Sequence, residues 1–230
     1  MYKIFIDAGH GGKDSGAVGN RLQEKDINLS VALKVGEILK RHNVEVIYSR
    51  TTDVFVELAD RASIANKANA DIFVSIHSNA ADNIAAKGLE TFSYPNSAKG
   101  TDLAKCIQDS ILQSKIYTSN RGIKTANFAV LRQSNMPSAL VELAFITNVE
   151  DSKILRDKQN ELALSVAKGI LDYLKINYIE ETKETNKYSP WAREGMLWGI
   201  DLGLTDGSNP KEPITLERVI TILHRMSKIK

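Results

Sequence analysis

The sequence predicts an α/β fold with a mostly parallel central sheet, helices on both faces, and a small helical C-terminal module. Short apolar, β-branched runs alternate with segments of helical periodicity along most of the chain. Such alternation is typical of a parallel sheet that is covered by helices on both faces. The polar and charged stretch 179–187 is typical of a linker, so we expect a main domain at 1–178 and a module at 188–230.

Composition places the chain among ordinary globular proteins. It has 230 residues, 43% hydrophobic and 25% charged, which argues against disordered and fibrous proteins. The formal net charge of +2 argues against strong electrostatic capture of nucleic acid and allows contact with an acidic polymer. The single cysteine, Cys106, cannot form an internal disulfide. No stretch has the pattern of a signal peptide or a membrane span, so we expect synthesis without a signal and no membrane insertion.

The first half of the chain alternates three predicted strands with two predicted helices. These elements are a strand at 3–8, a helix at 24–41, a strand at 44–48, a helix at 54–69 and a strand at 71–76. The first helix is supported by apolar residues at steps of three and four, such as Ile27, Val31 and Val35. The glycine-rich stretch 9–19 is not a phosphate-binding P-loop, because Asp14 follows Gly12-Lys13 where serine or threonine is required.

The second half continues the alternation. Its predicted elements are a strand at 88–94, a helix at 98–112, short strands at 128–131 and 139–142, a helix beginning near 147–150 and a helix at 162–174. In the strand at 88–94, Leu89, Thr91 and Ser93 alternate with Glu90, Phe92 and Tyr94. This alternation predicts that the strand is partly exposed. The module at 188–230 should hold two short helices around a turn at 206–210. A piece of about forty residues makes a poor independent core, so we expect it to pack against the main domain or a second copy of itself.

Chemically useful residues follow three of the predicted strands. His10 comes just after the first strand, His77 stands where the apolar run 72–76 stops, and Glu142 ends a third strand. In open α/β sheets, ligands bind at the carboxyl ends of the strands. We therefore expect these three side chains to converge on one site.

Two histidines and one carboxylate would form a three-ligand zinc site with a fourth position open to water. The candidate carboxylates are Glu24, Asp14 and Asp26. Glu24 lies on the inward face of the first helical turn, whereas Asp26, two residues later, should face elsewhere. A single histidine at a strand end is more often structural than a ligand, but His10 and His77 at parallel strand ends favour ligation.

Glu142 is placed to act as general base and proton shuttle beside such a metal, because a lone carboxylate at the end of an apolar strand is costly to bury. A purely structural metal site would need a fourth protein ligand, and none is evident in the sequence. His42 has the position of a helix-capping or surface residue, and His224 that of a structural residue in the module.

Several motifs resemble those of the zinc-dependent N-acetylmuramoyl-L-alanine amidases, and the resemblance runs from about residue 3 to about residue 174. They are Ile-Asp-Ala-Gly-His-Gly-Gly at 6–12, the helix with Glu24, Ser-Ile-His-Ser-Asn-Ala at 75–80, Asn-Arg-Gly at 120–122, Phe-Ala-Val-Leu-Arg at 128–132 and Leu-Val-Glu-Leu-Ala-Phe-Ile-Thr-Asn at 140–148. One departure is Ala144, where the family commonly has glycine.

The resemblance implies that residues 1–178 form a catalytic domain that acts on peptidoglycan. The bond cleaved would be the amide between N-acetylmuramic acid and L-alanine of the stem peptide. Matched residue by residue, His10, Glu24 and His77 would be the zinc ligands and Glu142 the catalytic glutamate. Asn79 matches a position beside the site and would bind substrate.

The form without a signal is similar to phage endolysins, which implies synthesis in the host cytoplasm and lysis at the bacterial cell wall. A bacterial autolysin that remodels the wall is the alternative. Residues 82–86 are too short for the inhibitory helix of some Gram-negative members. The tail resembles a single S-layer-homology repeat, so the module would bind a secondary wall polymer or form a homodimer, although Leu216-Glu217 departs from that pattern.

Two other functions fit parts of the sequence. A zinc peptidase would use the same metal chemistry within the wall peptide, and analysis of the cleaved bond separates it from an amidase. A non-catalytic wall-binding protein with a degenerate site is disfavoured, because His10, Glu24, His77 and Glu142 are all present.

Overall fold

The computed structural model describes residues 1–117, 119–180, 192–201, 203 and 216–226. The chain divides into two compact units, Met1–Tyr178 and Ile179–Lys230. Most of the linker predicted at 179–187 and the whole turn predicted at 206–210 lie outside the described residues.

The first unit is built on a six-stranded sheet with the strand order β4-β1-β5-β8-β6-β7. The strands are β1 (Lys3–Ala8), β2 (Val18–Gly19), β3 (Leu22–Gln23), β4 (Glu45–Tyr48), β5 (Ile72–Asn79), β6 (Leu89–Ser93), β7 (Asn120–Thr125) and β8 (Ser138–Phe145). β2 and β3 form a separate antiparallel hairpin. Only the β6–β8 pair of the six-stranded sheet is antiparallel, which confirms the prediction of a mostly parallel sheet.

Helices cover both faces of this sheet. They are α1 (Glu24–Lys40), α2 (Leu58–Lys67), α3 (Ala98–Gln113), α4 (Ala129–Arg132), α5 (Val149–Asp157) and α6 (Gln159–Tyr173). One face, with Ile6, Val74 and Val141, forms the larger core with α1, α3 and α6. The other face, with Phe5 and Phe73, forms a smaller core that includes residues of α2 and α4. Adjacent strand residues enter opposite cores because successive side chains point to opposite faces of a sheet.

Local sequence accounts for several element boundaries. The apolar stripe of α1, including Val31 and Val35, is fully buried, as its helical period requires. Asn148 caps α5 by accepting hydrogen bonds from the backbone N–H groups of Glu150 and Asp151. Such a cap satisfies donors that have no partner within the helix.

One predicted element is wrong, and two others differ from the prediction in a boundary or in burial. Residues 128–131, predicted as a strand, lie at the short helix α4, where Val130 and Leu131 are buried in the smaller core. The second helix begins at Leu58, not at residue 54. The strand predicted at 88–94 to be exposed is β6, which lies between β8 and β7 and is largely buried.

Three strands, β2, β3 and β7, were not predicted, and one histidine lies deeper than expected. β7, at Asn120–Thr125, forms an edge of the sheet. His42 is buried after the last turn of α1, where its Nδ1 lies 2.9 Å from the carbonyl oxygen of Ile38 and its ring stacks on Tyr178. This position fits the predicted capping role and not a surface one.

The second unit contains the helices α7 (Arg193–Asp201) and α8 (Leu216–Met226) among its described residues. Trp198 on α7 and Ile220 and Leu223 on α8 are about half exposed. In the described part of the chain, every helix is too short or too polar to cross a membrane.

Candidate active site

The loop that carries His10 begins directly after β1 and is fixed by two buried arginines. Arg61 donates to the Asp7 carboxylate at 2.8 Å and to the carbonyl oxygens of Ala8 and His10 at 2.7 and 2.8 Å. Arg50 donates to the carbonyl oxygens of Ala8 and Gly9, both at 3.0 Å. His10 adopts a left-handed backbone conformation with φ of 61°, which is uncommon for a residue other than glycine. The two guanidinium groups therefore hold the loop in a shape that costs free energy locally.

Glu24 is the first residue of α1 and its buried carboxylate is surrounded by donors. One oxygen lies 2.9 Å from Nδ1 of His77 and accepts from the Ser78 backbone N–H at 3.1 Å. The other accepts from the Ala17 N–H at 2.9 Å and lies 3.2 Å from Nε2 of His10. Burial opposes ionisation, but the contacts with both histidines outweigh it and hold the pKa of Glu24 well below its ordinary value. The carboxylate is therefore negatively charged.

His77 lies within β5 and its ring occupies space that Gly9 leaves free. A Cβ atom at Gly9 would lie 2.3 Å from Cε1 of the His77 ring, far inside van der Waals contact. Glycine is required here because the ring passes directly over the backbone. The predicted strand at 3–8 and the apolar run at 72–76 thus end close together, at this glycine and this ring.

Together, His10, Glu24 and His77 form a group that could hold a metal ion, with one ligand atom from each within 4.8 Å of the others. Two imidazole nitrogens and one carboxylate oxygen match the donor set of catalytic zinc sites. Asp14 supports this assignment, because its Oδ2 lies 2.8 Å from Nδ1 of His10 and leaves Nε2 directed at Glu24. A carboxylate on the outer nitrogen of a histidine is typical of metal ligands.

The electrostatics of the group favour a bound cation. Burial lowers the pKa of His10, but Glu24 and Asp14 outweigh it and raise that pKa to about 9. Burial likewise opposes protonation of His77, but the hydrogen bond to Glu24 and the charge of Glu142 raise its pKa. The negative potential that holds protons on these rings is the potential that would attract a metal ion.

Glu142 stands beside this group on the neighbouring strand, in register with His77. Its Oε2 is buried and has no hydrogen-bond partner among the described residues. Burial raises the pKa of Glu142 to about 7, with the negative charges of Glu24 and Glu90 adding to the effect and His77 opposing it. A carboxyl group with a pKa near 7 can both accept and release a proton at neutral pH.

Residues 4–172 match the model of a protein family described as N-acetylmuramoyl-L-alanine amidase. The chain belongs to this family.

Individual relatives carry related names. The N-acetylmuramoyl-L-alanine amidase LytC of Bacillus subtilis is 41% identical over 174 residues, covering 74% of this chain and 35% of LytC. The endolysin of Bacillus phage SPP1 is 40% identical over 183 residues, covering 75% of this chain and 66% of the endolysin. Among solved structures, the amidase AmiC2 of Nostoc punctiforme is 45% identical with a TM-score of 0.72, covering 76% of this chain and 97% of that one. The chain therefore spans about a third of LytC and about two thirds of the endolysin.

In this member of the amidase family, the remaining predicted residues take distinct positions. Asp14 lies outside the metal group and contacts His10, and Asp26 is exposed. Asn79 ends β5, and its side-chain N–H donates to Glu90 at 2.6 Å. His77 and Glu142 lie inside their strands and not at the ends, because β5 and β8 continue to Asn79 and Phe145.

Sequence reasoning missed three residues that shape the site of this amidase-family chain. Arg50 and Arg61 fix the His10 loop, and Glu90 binds Asn79. A charged residue in the apolar stripe of a helix was the one available signal for Arg61. For Glu90, the available signal was a carboxylate within a predicted strand.

Proposed function

We propose that this chain is a zinc-dependent N-acetylmuramoyl-L-alanine amidase that hydrolyses the amide bond between N-acetylmuramic acid and L-alanine of the stem peptide. The observation that carries this proposal is the register of Glu142 with His77, which puts a buried, unpartnered carboxyl group next to a two-histidine, one-carboxylate group. Family membership supports the choice of bond.

His10, Glu24 and His77 would hold the zinc. Zinc at such a site, when bound, lowers the pKa of water to about 7 and polarises a substrate carbonyl group. Asp14 orients His10 through Nδ1, and the Ser78 N–H and Asn28 side chain orient Glu24. These contacts fix the His10 and Glu24 side chains before substrate arrives.

Glu142 would move the proton. It accepts a proton from the attacking water, whose oxygen adds to the lactyl carbonyl carbon. It then gives that proton to the departing amide nitrogen as the carbon–nitrogen bond breaks, which leaves a carboxylate on the muramic acid and a free amino group on L-alanine. The raised pKa of Glu142 suits both steps near neutral pH.

The site of action would be the bacterial cell wall. The match to the phage SPP1 endolysin supports a role in cell lysis after synthesis in the host cytoplasm, and the match to LytC supports the alternative of an autolysin. For the second unit, the half-exposed Trp198, Ile220 and Leu223 support binding to a secondary wall polymer or to a second copy of the chain.

Digestion of purified peptidoglycan tests the reaction. We expect new N-terminal L-alanine with intact muramic acid, loss of activity on chelation and its return with added zinc. New amino groups on later residues of the stem peptide would identify a peptidase instead. Full activity in protein from which metal has been removed would contradict the zinc assignment.

A further inference from the structure

A row of charged side chains continues from Glu142 across the sheet, away from the histidines. Glu142 pairs with His77 on one side and with Glu90 of β6 on the other. β7 lies beyond β6 at the edge of the sheet and carries Arg121 and Lys124. Paired residues of adjacent strands point to the same face of a sheet, so Glu90 shares the face of His77 and Glu142.

Glu90 joins this row to two cations. Its carboxylate is buried and accepts from Arg121 Nε at 2.7 Å and from Lys124 Nζ at 2.5 Å, as well as from Asn79. Burial opposes its ionisation, but the ion pairs with Lys124 and Arg121 outweigh this and lower the pKa of Glu90. One negative charge faces two positive charges, so the cluster keeps a net positive charge.

The two cations remain available to a ligand. The side chains of Arg121 and Lys124 are 35% and 40% exposed, whereas that of Glu90 is 6% exposed. Arg121 lies over the Phe145 ring at 4.8 Å and Lys124 over the Phe92 ring at 5.9 Å, which limits their movement. Among the described residues, Arg121 makes its one hydrogen bond through Nε, so both terminal nitrogens can donate. Such a pair of donors matches the two oxygens of a carboxylate.

The position of the cluster indicates which part of the substrate it meets. Glu142 protonates the departing nitrogen in the proposed reaction, and Glu142 lies between His77 and Glu90. The peptide that begins at that nitrogen would therefore extend over β6 and β7. Two strand spacings cover about 10 Å, and two extended residues cover about 7 Å. The Arg121 and Lys124 side chains can bridge the difference.

We infer that Arg121 and Lys124 bind a free carboxylate of the stem peptide, on the residue that follows L-alanine, and select substrates that carry it. This inference rests on the proposed function. Glu90 is then a positioning residue that holds both cations and Asn79. Through Arg121, the Asn-Arg-Gly motif at 120–122 would take part in substrate selection.

Two matched muropeptides test this inference with the full-length protein. One carries a free carboxylate on the residue after L-alanine, and the other carries an amide at that place. For Arg121→Gln and Lys124→Gln we expect KM to rise about ten-fold on the free acid, as for loss of one charge-assisted hydrogen bond. The kcat value should change little, and KM on the amidated muropeptide should rise much less than KM on the free acid.

Two further variants separate binding from folding. Arg121→Lys should restore part of the preference, and Lys105→Gln, which removes a cation from α3, should keep the wild-type preference. Equal losses on both muropeptides would mean that the cations only stabilise the fold. No change on either would mean that they do not meet the substrate. Both results would overturn the inference.

A binding measurement keeps the inference separate from the proposed function. Calorimetry with Glu142→Gln protein, with and without Arg121→Gln, compares the two muropeptides without hydrolysis. Preference for the free acid that depends on Arg121 supports the inference even if the wild type cleaves a different bond. Equal binding of both muropeptides contradicts it even if the wild type is an active amidase.

Discussion

Glu142 keeps one carboxylate oxygen buried and without a hydrogen-bond partner among the described residues. Leaving such a group unsatisfied costs about 1–3 kcal/mol. Burial also raises the pKa of Glu142 to about 7. The protein thus gives up stability at a single residue to keep a carboxyl group that exchanges protons near neutral pH.

The first prediction concerns Glu142→Gln. The amide keeps the shape of the side chain but cannot accept the proton, so turnover should fall by about 100-fold or more. Zinc content, measured by atomic absorption, should remain that of the wild type. Glu161→Gln, at a half-exposed position of α6, is the control and should keep both activity and zinc. Loss of zinc together with activity would make Glu142 a metal ligand.

The residues that could be predicted from the sequence are those that sit next to recognisable local patterns. His10 and His77 follow apolar runs and Glu24 opens an amphipathic helix, and the structure brings these three together. The roles of Arg61 and Glu90 could not be predicted, because their partners are brought near only by tertiary folding. Arg61 contacts Asp7 across 54 positions of sequence, and Glu90 contacts Lys124 across 34.

Among the elements, α2 fixes the site although it contributes no predicted ligand. It projects Arg61 under the loop that follows β1, where the guanidinium pairs with Asp7, a residue that Ser75 of β5 also contacts at 2.7 Å. Arg61 and Asp7 are both buried. α2, β1 and β5 are therefore joined by one polar network directly behind the metal group.

The second prediction is that Arg61→Met lowers the free energy of unfolding by about 3–5 kcal/mol, because it leaves the buried Asp7 carboxylate without its ion-pair partner. Urea denaturation followed by circular dichroism measures the change. The variant should also bind zinc less tightly, because His10 loses its backbone contact. Arg156→Met removes the exposed pair with Asp157 and should leave the free energy of unfolding unchanged. Equal stability of the two variants would contradict the role given to Arg61.

Two of the errors in element prediction have clear physical causes. Residues 128–131 are an apolar run of four, and a run this short has the same pattern in a buried strand and in one buried helical turn. β7 has the sequence Asn-Arg-Gly-Ile-Lys-Thr, whose single large apolar residue gives no period. It becomes a strand because β6 offers it a backbone partner, which is a tertiary effect. The long helices α1 and α3 were predicted correctly within one residue at each end, whereas α6 begins three residues earlier than predicted.

For the whole molecule, the candidate-site residues belong to the first unit and the C-terminal helices to the second. The family match at 4–172 lies within Met1–Tyr178, as do all the residues of the candidate site. The last described contacts of this unit include the stacking of Tyr178 on His42 and the approach of Lys168 to the Tyr178 ring. A cut after Tyr178 keeps them.

The third prediction concerns that cut. Protein ending at Tyr178 should fold, bind zinc and cleave small muropeptides, but should lyse whole cells less well than the full chain, because attachment at more than one point prolongs residence on a repeating polymer. A cut after Tyr173 is the control and should reduce stability, since it removes Ile176 and Tyr178 from the core.

Light scattering tests the hypothesis that the second unit forms a dimer. If both the full chain and the Tyr178 form are monomers, self-association fails and wall binding remains.

The pairing of His77 with Glu142 has a consequence for how tolerant the site is of change. The separation of the two residues is set by main-chain hydrogen bonds between β5 and β8, at the roughly 4.8 Å spacing common to all sheets. Changes in side-chain packing beneath the sheet can leave that separation unaltered. A one-residue shift in the register of β8 against β5 would instead turn Glu142 to the opposite face. Substitutions in the surrounding loops should therefore disturb the relation of His77 to Glu142 less than an insertion or deletion within β5 or β8.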